Sequence, residues 1–161
     1  MLIDTHCHLD FPEFDADREA VVEEAASFGV AYIINVSSSV EGARRALEVS
    51  ARFPGVFAVV GVHPHEADSA AQEDLKEISR LAGSDKVVAV GETGLDYYRS
   101  LSSSLNQQRI FRAQIEIALE RNLPLVVHCR QAQEDTLRIL REYPSLKTVV
   151  HCFSGDHAFL S

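Results

Sequence analysis

The chain has 161 residues, 46% of them hydrophobic and 24% charged, and a formal net charge of −9. This fits a soluble domain with one sizeable core, and no apolar run reaches the ~20 residues that a membrane-crossing helix needs. The acidic balance excludes a general basic coat for nucleic-acid backbones, so affinity for phosphate must come from a local feature such as bound cations.

The pattern predicts strands alternating with helices. Leu2, Ile3 and Asp4 open a short strand that leads into His6, Cys7 and His8. Asp15 is expected to cap a helix with Asp17 and Glu19 in its first turn, where acids suit the helix dipole. Val21, Ala25 and Phe28 follow at helical spacing, and Gly29 ends the helix. Residues 30–36 form a near-continuous apolar run, as a strand buried on both faces should. Residues 40–53 read as a helix stopped by Pro54-Gly55, and 56–62 as a third strand. Leu75, Ile78 and Ala82 mark a third helix, and 86–92 a fourth strand. A long helix over 105–122 is followed by a strand (124–129), a helix (131–143) and a sixth strand (147–152). Residues 156–161 look like the start of a further helix. Nothing breaks the series, so residues 1–161 are read as one domain.

Each of the three cysteines adjoins a histidine: Cys7 beside His6 and His8, Cys129 beside His128, Cys152 beside His151. An odd number in such settings is no disulfide framework, and a reducing cytoplasm is the expected compartment. The opening residues carry no basic segment of the kind that starts a secretory signal. Strand alternation turns all three thiols away from their histidine neighbours, so all three are expected to be buried packing residues.

Six apolar strands alternating with helices imply a parallel sheet. An open doubly wound sheet would show a Gly-rich turn after an early strand, and none is present. Instead, polar residues sit at the C-terminal ends of nearly every strand, where (β/α)8 barrels of the TIM type place their chemistry. The chain is therefore read as an α/β fold covering about six units of such a barrel.

His6 and His8 end the first strand, His63 and His65 follow the third, and Glu92, His128 and His151 end the fourth, fifth and sixth. Each alone has an ordinary structural reading; Glu92, for example, could pair with Arg99 or Arg130. In a barrel, however, all these ends face one mouth. Burying so many polar groups together is costly unless something binds them. Neutral imidazoles and one carboxylate suit divalent cations. Glu92, the single acid in the set, has two oxygens and can bridge two ions ~3.5–4 Å apart.

The stretches DTHCHLD (4–10), GVHPHEA (61–67), GETGLDYYR (91–99), PLVVHCR (124–130) and HCFSG (151–155) together resemble the TatD family of metal-dependent deoxyribonucleases, within the amidohydrolase-like barrels. The resemblance implies that His6, His8 and Glu92 hold one ion, and that Glu92, His128 and His151 hold the second. The family's first site has a further aspartate near the end of a later strand, which this sequence does not reach. The metals would be zinc, magnesium or manganese, and the reaction DNA hydrolysis, usually from the 3′ end. Two cations would acidify a shared water and stabilise charge on the phosphodiester oxygens. Glu92 is the expected catalytic centre, and His63, His65 and Arg130 are the expected phosphate contacts. Tyr97 or Tyr98 is a candidate for stacking on a base.

A related ligand set in amidohydrolase relatives cleaves amides, lactones or esters, so hydrolysis of a small molecule or aminoacyl ester is the second enzymatic expectation. An inactive partial barrel, or one half of a two-chain assembly, is the non-enzymatic one. A six-stranded fragment has two strand edges, and self-association of the isolated chain is expected.

Overall fold

The computed structural model describes residues 1–153 and 155. Among these residues six strands and five α-helices alternate: β1 (Leu2–Cys7), α1 (Arg18–Ser27), β2 (Val30–Val36), α2 (Val40–Arg52), β3 (Val56–Val60), α3 (Gln72–Leu81), β4 (Val87–Asp96), α4 (Ser104–Arg121), β5 (Leu125–Arg130), α5 (Gln133–Leu140) and β6 (Thr148–Val150). The possible helix at 156–161 lies outside the described residues.

The strands form one sheet in the order β1-β2-β3-β4-β5-β6, every neighbouring pair parallel. A doubly wound sheet reverses its strand order at a switch point; this one never reverses. Right-handed crossovers between successive neighbours place all the helices on the same side. The sheet also curls. If it were flat, its first and last strands would lie about 24 Å apart, five gaps of ~4.8 Å. Instead His6 on β1 and His151, just past β6, stack with ring centroids 3.5 Å apart. Strand order and curl together are those of a TIM-type barrel over about six units.

The core lies between the sheet and the middle helices. Val60, Val90, Leu125 and Val127 of the strands pack with Ile78 of α3 and Ile110, Phe111 and Ile115 of α4. Helix starts follow local chemistry: Ser39 caps α2 by accepting from Gly42 N, and Ser103 caps α4 by accepting from Asn106 N. The expected Asp15 cap is not observed. Helix α1 begins at Arg18 with Asp17 before it, and Asp15 instead pairs with Arg18 and Arg45. Strand β4 runs four residues past its expected end at Glu92, to Asp96.

Candidate metal centre

Local structure sets the directions of the histidines. His8 Nδ1 lies 2.7 Å from the carbonyl oxygen of Val36. A carbonyl can only accept, so Nδ1 carries the proton and the neutral ring offers the Nε2 lone pair. His6 crosses edge-on to His8 at a centroid distance of 5.1 Å. Its Nε2 is buried, lies 3.4 Å from Glu92 Oε2 and makes no hydrogen bond. A buried imidazole nitrogen without a hydrogen bond, facing a carboxylate, is a donor setting that suits a divalent cation.

Glu92 is 4% exposed and divides its two oxygens. Oε2 faces His6, and Oε1 lies 3.0 Å from His128 Nδ1. Burial disfavours its charge, but the hydrogen bond with His128 and the His6 imidazole beside it outweigh that and hold its pKa far below the usual carboxylate range. The alternative pairing of Glu92 with Arg99 or Arg130 is not what forms. Among the described residues two groups of three donors result, His6–His8–Glu92 and His63–Glu92–His128, each with its ligand atoms within 4.8 Å of one another. Glu92 belongs to both, and the donor chemistry fits divalent ions.

His151 shares a cavity of about 430 Å³ with His63, Glu92, His128 and Arg130, but it stacks on His6 instead of completing the group of Glu92 and His128. His63 stands there, with its ring 4.6 Å from that of His128. Burial pushes the His63 pKa down to about 3, against the pull of Glu92. Its Nδ1 accepts the His65 N–H at 3.2 Å, so the neutral ring carries its proton on Nε2.

Glu92 is not the single acid at this mouth. Asp96 is fully buried, and its Oδ2 lies 2.8 Å from His65 Nε2 and 3.1 Å from His128 Nε2. Burial would raise its pKa, but the Arg99 N–H and the two imidazoles prevail and hold it at about 2. His128 thus sits between two carboxylates. Burial opposes its charge, yet Glu92 and Asp96 raise its pKa. Alternation along an extended β4 puts Glu92, Gly94 and Asp96 on one face, a signal obscured when the strand is ended at Glu92.

Arg130 rests its guanidinium 4.1 Å from the centroid of the Tyr98 ring. Tyr98 is largely exposed, whereas the Tyr97 hydroxyl is committed to Asp135 and Gln108. Of the cysteines, Cys7 and Cys129 are half-buried, not buried, and pack against the margins of core clusters; Cys129 also lines the cavity beside His128. Cys152, against expectation, is exposed, because β6 ends at Val150 and Cys152 occupies a turn at φ 47°.

The family model described as TatD-related DNase matches residues 3–161. An uncharacterised metal-dependent hydrolase of Bacillus subtilis, YabD, is 40% identical over 97% of this chain and 62% of its own length. The Salmonella typhimurium protein named 3′-5′ ssDNA/RNA exonuclease TatD is 37% identical over 96% of this chain and 60% of its own. The crystal structure of YjjV, a TatD homologue of Escherichia coli, superposes with a TM-score of 0.90 at 33% identity, over 98% of this chain and 62% of that one. The chain therefore spans about three fifths of the length of these relatives. Among the described residues no helix is long and apolar enough to cross a membrane. With a match that covers nearly every residue, this chain belongs to the TatD-related DNase family of metal-dependent hydrolases.

Proposed function

We propose that the protein carrying this chain is a two-metal phosphodiesterase that trims single-stranded nucleic acid, DNA foremost, from its 3′ end in the cytoplasm. The observation that carries this reading is the division of Glu92 between His6 and His128, one oxygen to each, at the junction of two donor groups. In this reading His6, His8 and Glu92 hold one ion, and Glu92 and His128 hold the other with His151, the remaining imidazole on the cavity wall. A divalent ion bound there supplies Lewis acidity and an acidified water.

The protein's own groups would do the rest. His63, neutral with its proton on Nε2, donates a hydrogen bond to a phosphoryl oxygen. Arg130 adds fixed positive charge at the rim, and the exposed face of Tyr98 offers a stacking surface to the terminal base. His65, whose Nε2 is taken by Asp96, acts through the network and not by direct contact. The exonuclease name of the Salmonella relative supports the choice of substrate.

The deciding experiment is digestion of 3′-labelled single-stranded DNA by the metal-loaded full-length protein, beside a panel of lactones and aminoacyl esters. Processive 3′ loss abolished by Glu92→Gln supports the reading. Turnover of an ester with intact DNA would replace it with small-molecule hydrolysis.

A further inference from the structure

Asp96 is held unusually firmly for a residue outside both groups of metal donors. Its Oδ1 accepts two backbone N–H groups, from Tyr98 at 3.0 Å and Arg99 at 2.8 Å. Its own N–H donates to Gln107 Oε1 at 2.8 Å, and its carbonyl accepts from Gln107 Nε2 at 3.1 Å. Gln107 is itself buried. The carboxylate therefore cannot rotate without breaking two hydrogen bonds, and its remaining oxygen, Oδ2, is fixed between the Nε2 atoms of His65 and His128.

An ionised carboxylate only accepts hydrogen bonds, so both histidines must present N–H at Nε2. For His128 this leaves Nδ1, on the Glu92 side, as the nitrogen available to an ion. Carboxylates that hold a ligating histidine from behind in this way fix both its tautomer and its ring orientation. We propose that Asp96 is a positioning residue: its buried Oδ2 holds His65 and His128 with Nε2–H, and so aims His128 Nδ1 at the metal shared with Glu92. The proposal rests on the metal reading of the site for its consequence, and on the hydrogen-bond geometry alone for the tautomers.

Asp96→Asn is the sharp test, since it keeps size and shape. The two backbone N–H groups keep an oxygen at the Oδ1 position, so the new amide NH2 must take the Oδ2 position and face both imidazoles. The rings must then offer a lone pair at Nε2 and move the proton to Nδ1. Long-range proton–nitrogen spectra of the histidines read this directly. Expected are Nε2–H on His65 in the metal-free wild type, Nε2–H retained on His128 after zinc is added, and a shift to Nδ1–H in Asp96→Asn. Zinc titration by calorimetry should show roughly 10- to 100-fold weaker binding in the variant.

Unchanged tautomers in Asp96→Asn would overturn the proposal, as would unchanged zinc affinity in a variant whose wild type binds zinc. If wild type binds no zinc, the metal reading falls and the spectra alone decide the role of Asp96. If the variant does not fold, the wild-type spectra decide: His65 with Nδ1–H, or His128 losing Nε2–H on zinc addition, refutes the proposal.

Discussion

Gln114 meets the hydrogen-bonding needs of Val62 on both sides: its Oε1 accepts from the Val62 N–H at 2.8 Å and its Nε2 donates to the Val62 carbonyl at 2.9 Å. Gln107 does the same for Asp96. The two glutamines are seven residues apart on α4, on one face of the helix, and both are buried. Strand β3 has ended at Val60, so no neighbouring strand serves Val62. Helix α4 acts there as a surrogate ladder, and it stiffens the two chain segments that lead to His63 and to Asp96.

Gln114→Leu should therefore destabilise the protein by roughly 2–5 kcal/mol, since it strands the N–H and C=O of Val62 and the hydroxyl of Thr93 in a buried setting. Urea unfolding of wild type and variant measures this. A change below about 0.5 kcal/mol, the range of ordinary surface substitutions, would show that these groups find other partners.

Gly94 lies on β4 at φ +133°, and a Cβ there would collide with the carbonyl oxygen of His128. Gly91, at φ +138°, has the Val126 carbonyl 2.5 Å from its virtual Cβ. These two glycines let β4 press against β5 where the register shifts between Val90 and Thr93. Gly94→Ala should cost more than about 3 kcal/mol, through combined clash and backbone strain, and should leave little soluble folded protein. A normal yield with wild-type melting behaviour would contradict this.

Those same glycines explain what was and was not legible in the sequence. The strand at Val30–Val36 is legible from its near-continuous apolar run, although only its second half is well buried and Ala31 and Tyr32 are exposed. In β4 the glycines resemble a strand end, so the pattern closes the strand at Glu92 and leaves Asp96 outside it. The strand histidines were legible because alternation is local. The stacking of His6 on His151 was not, because it depends on the curl of the whole sheet. Cys152 departs from the expectation for the opposite reason to Asp96: alternation does not extend past Val150, where the strand stops.

Thiol reactivity should follow exposure. Cys152 is exposed, whereas burial, with Asp4 adding to it, pushes the Cys7 thiol up to about 12. Burial also raises the pKa of Cys129. With an aromatic disulfide reagent at mildly alkaline pH, one fast equivalent should appear, and Cys152→Ser should remove it, since the thiolate is the reacting species. A fast equivalent that survives in Cys152→Ser would place the reactive thiol elsewhere.

Asp68 ties the loop after β3 to the start of α4. Its Oδ1 accepts from the Ser103 N–H and hydroxyl and from Asn106 Nδ2. The Asn106 and Ser103 hydrogen bonds lower its pKa below the ordinary 3.8. A carboxyl depressed in the folded state stabilises it fully above the unfolded pKa, and that contribution is lost as pH falls through the folded value. The melting temperature of Asp68→Ala should therefore lie below that of wild type near neutral pH. The gap should close as pH falls below about 3.8. A gap that stays constant with pH would mean the aspartate acts by packing alone.

Among the described residues β1 pairs with β2 alone and β6 with β5 alone. Each outer edge thus presents a row of backbone donors and acceptors, the feature that templates strand addition. The side chains add to this: Leu2, Ile3 and Val149 are 59%, 49% and 60% exposed. Curled so that His6 reaches His151, the sheet cannot flatten to hide these residues. The isolated 161-residue chain should therefore associate with itself as its concentration rises. Light scattering across a dilution series should show the mass increasing above that of the monomer. Charges on the edges should reverse the effect, because lysine there opposes strand addition. The double substitution Ile3→Lys and Val149→Lys should shift the chain toward monomer and leave its far-ultraviolet dichroism unchanged. A wild-type chain that stays a monodisperse monomer at every concentration would show that these edges do not drive association.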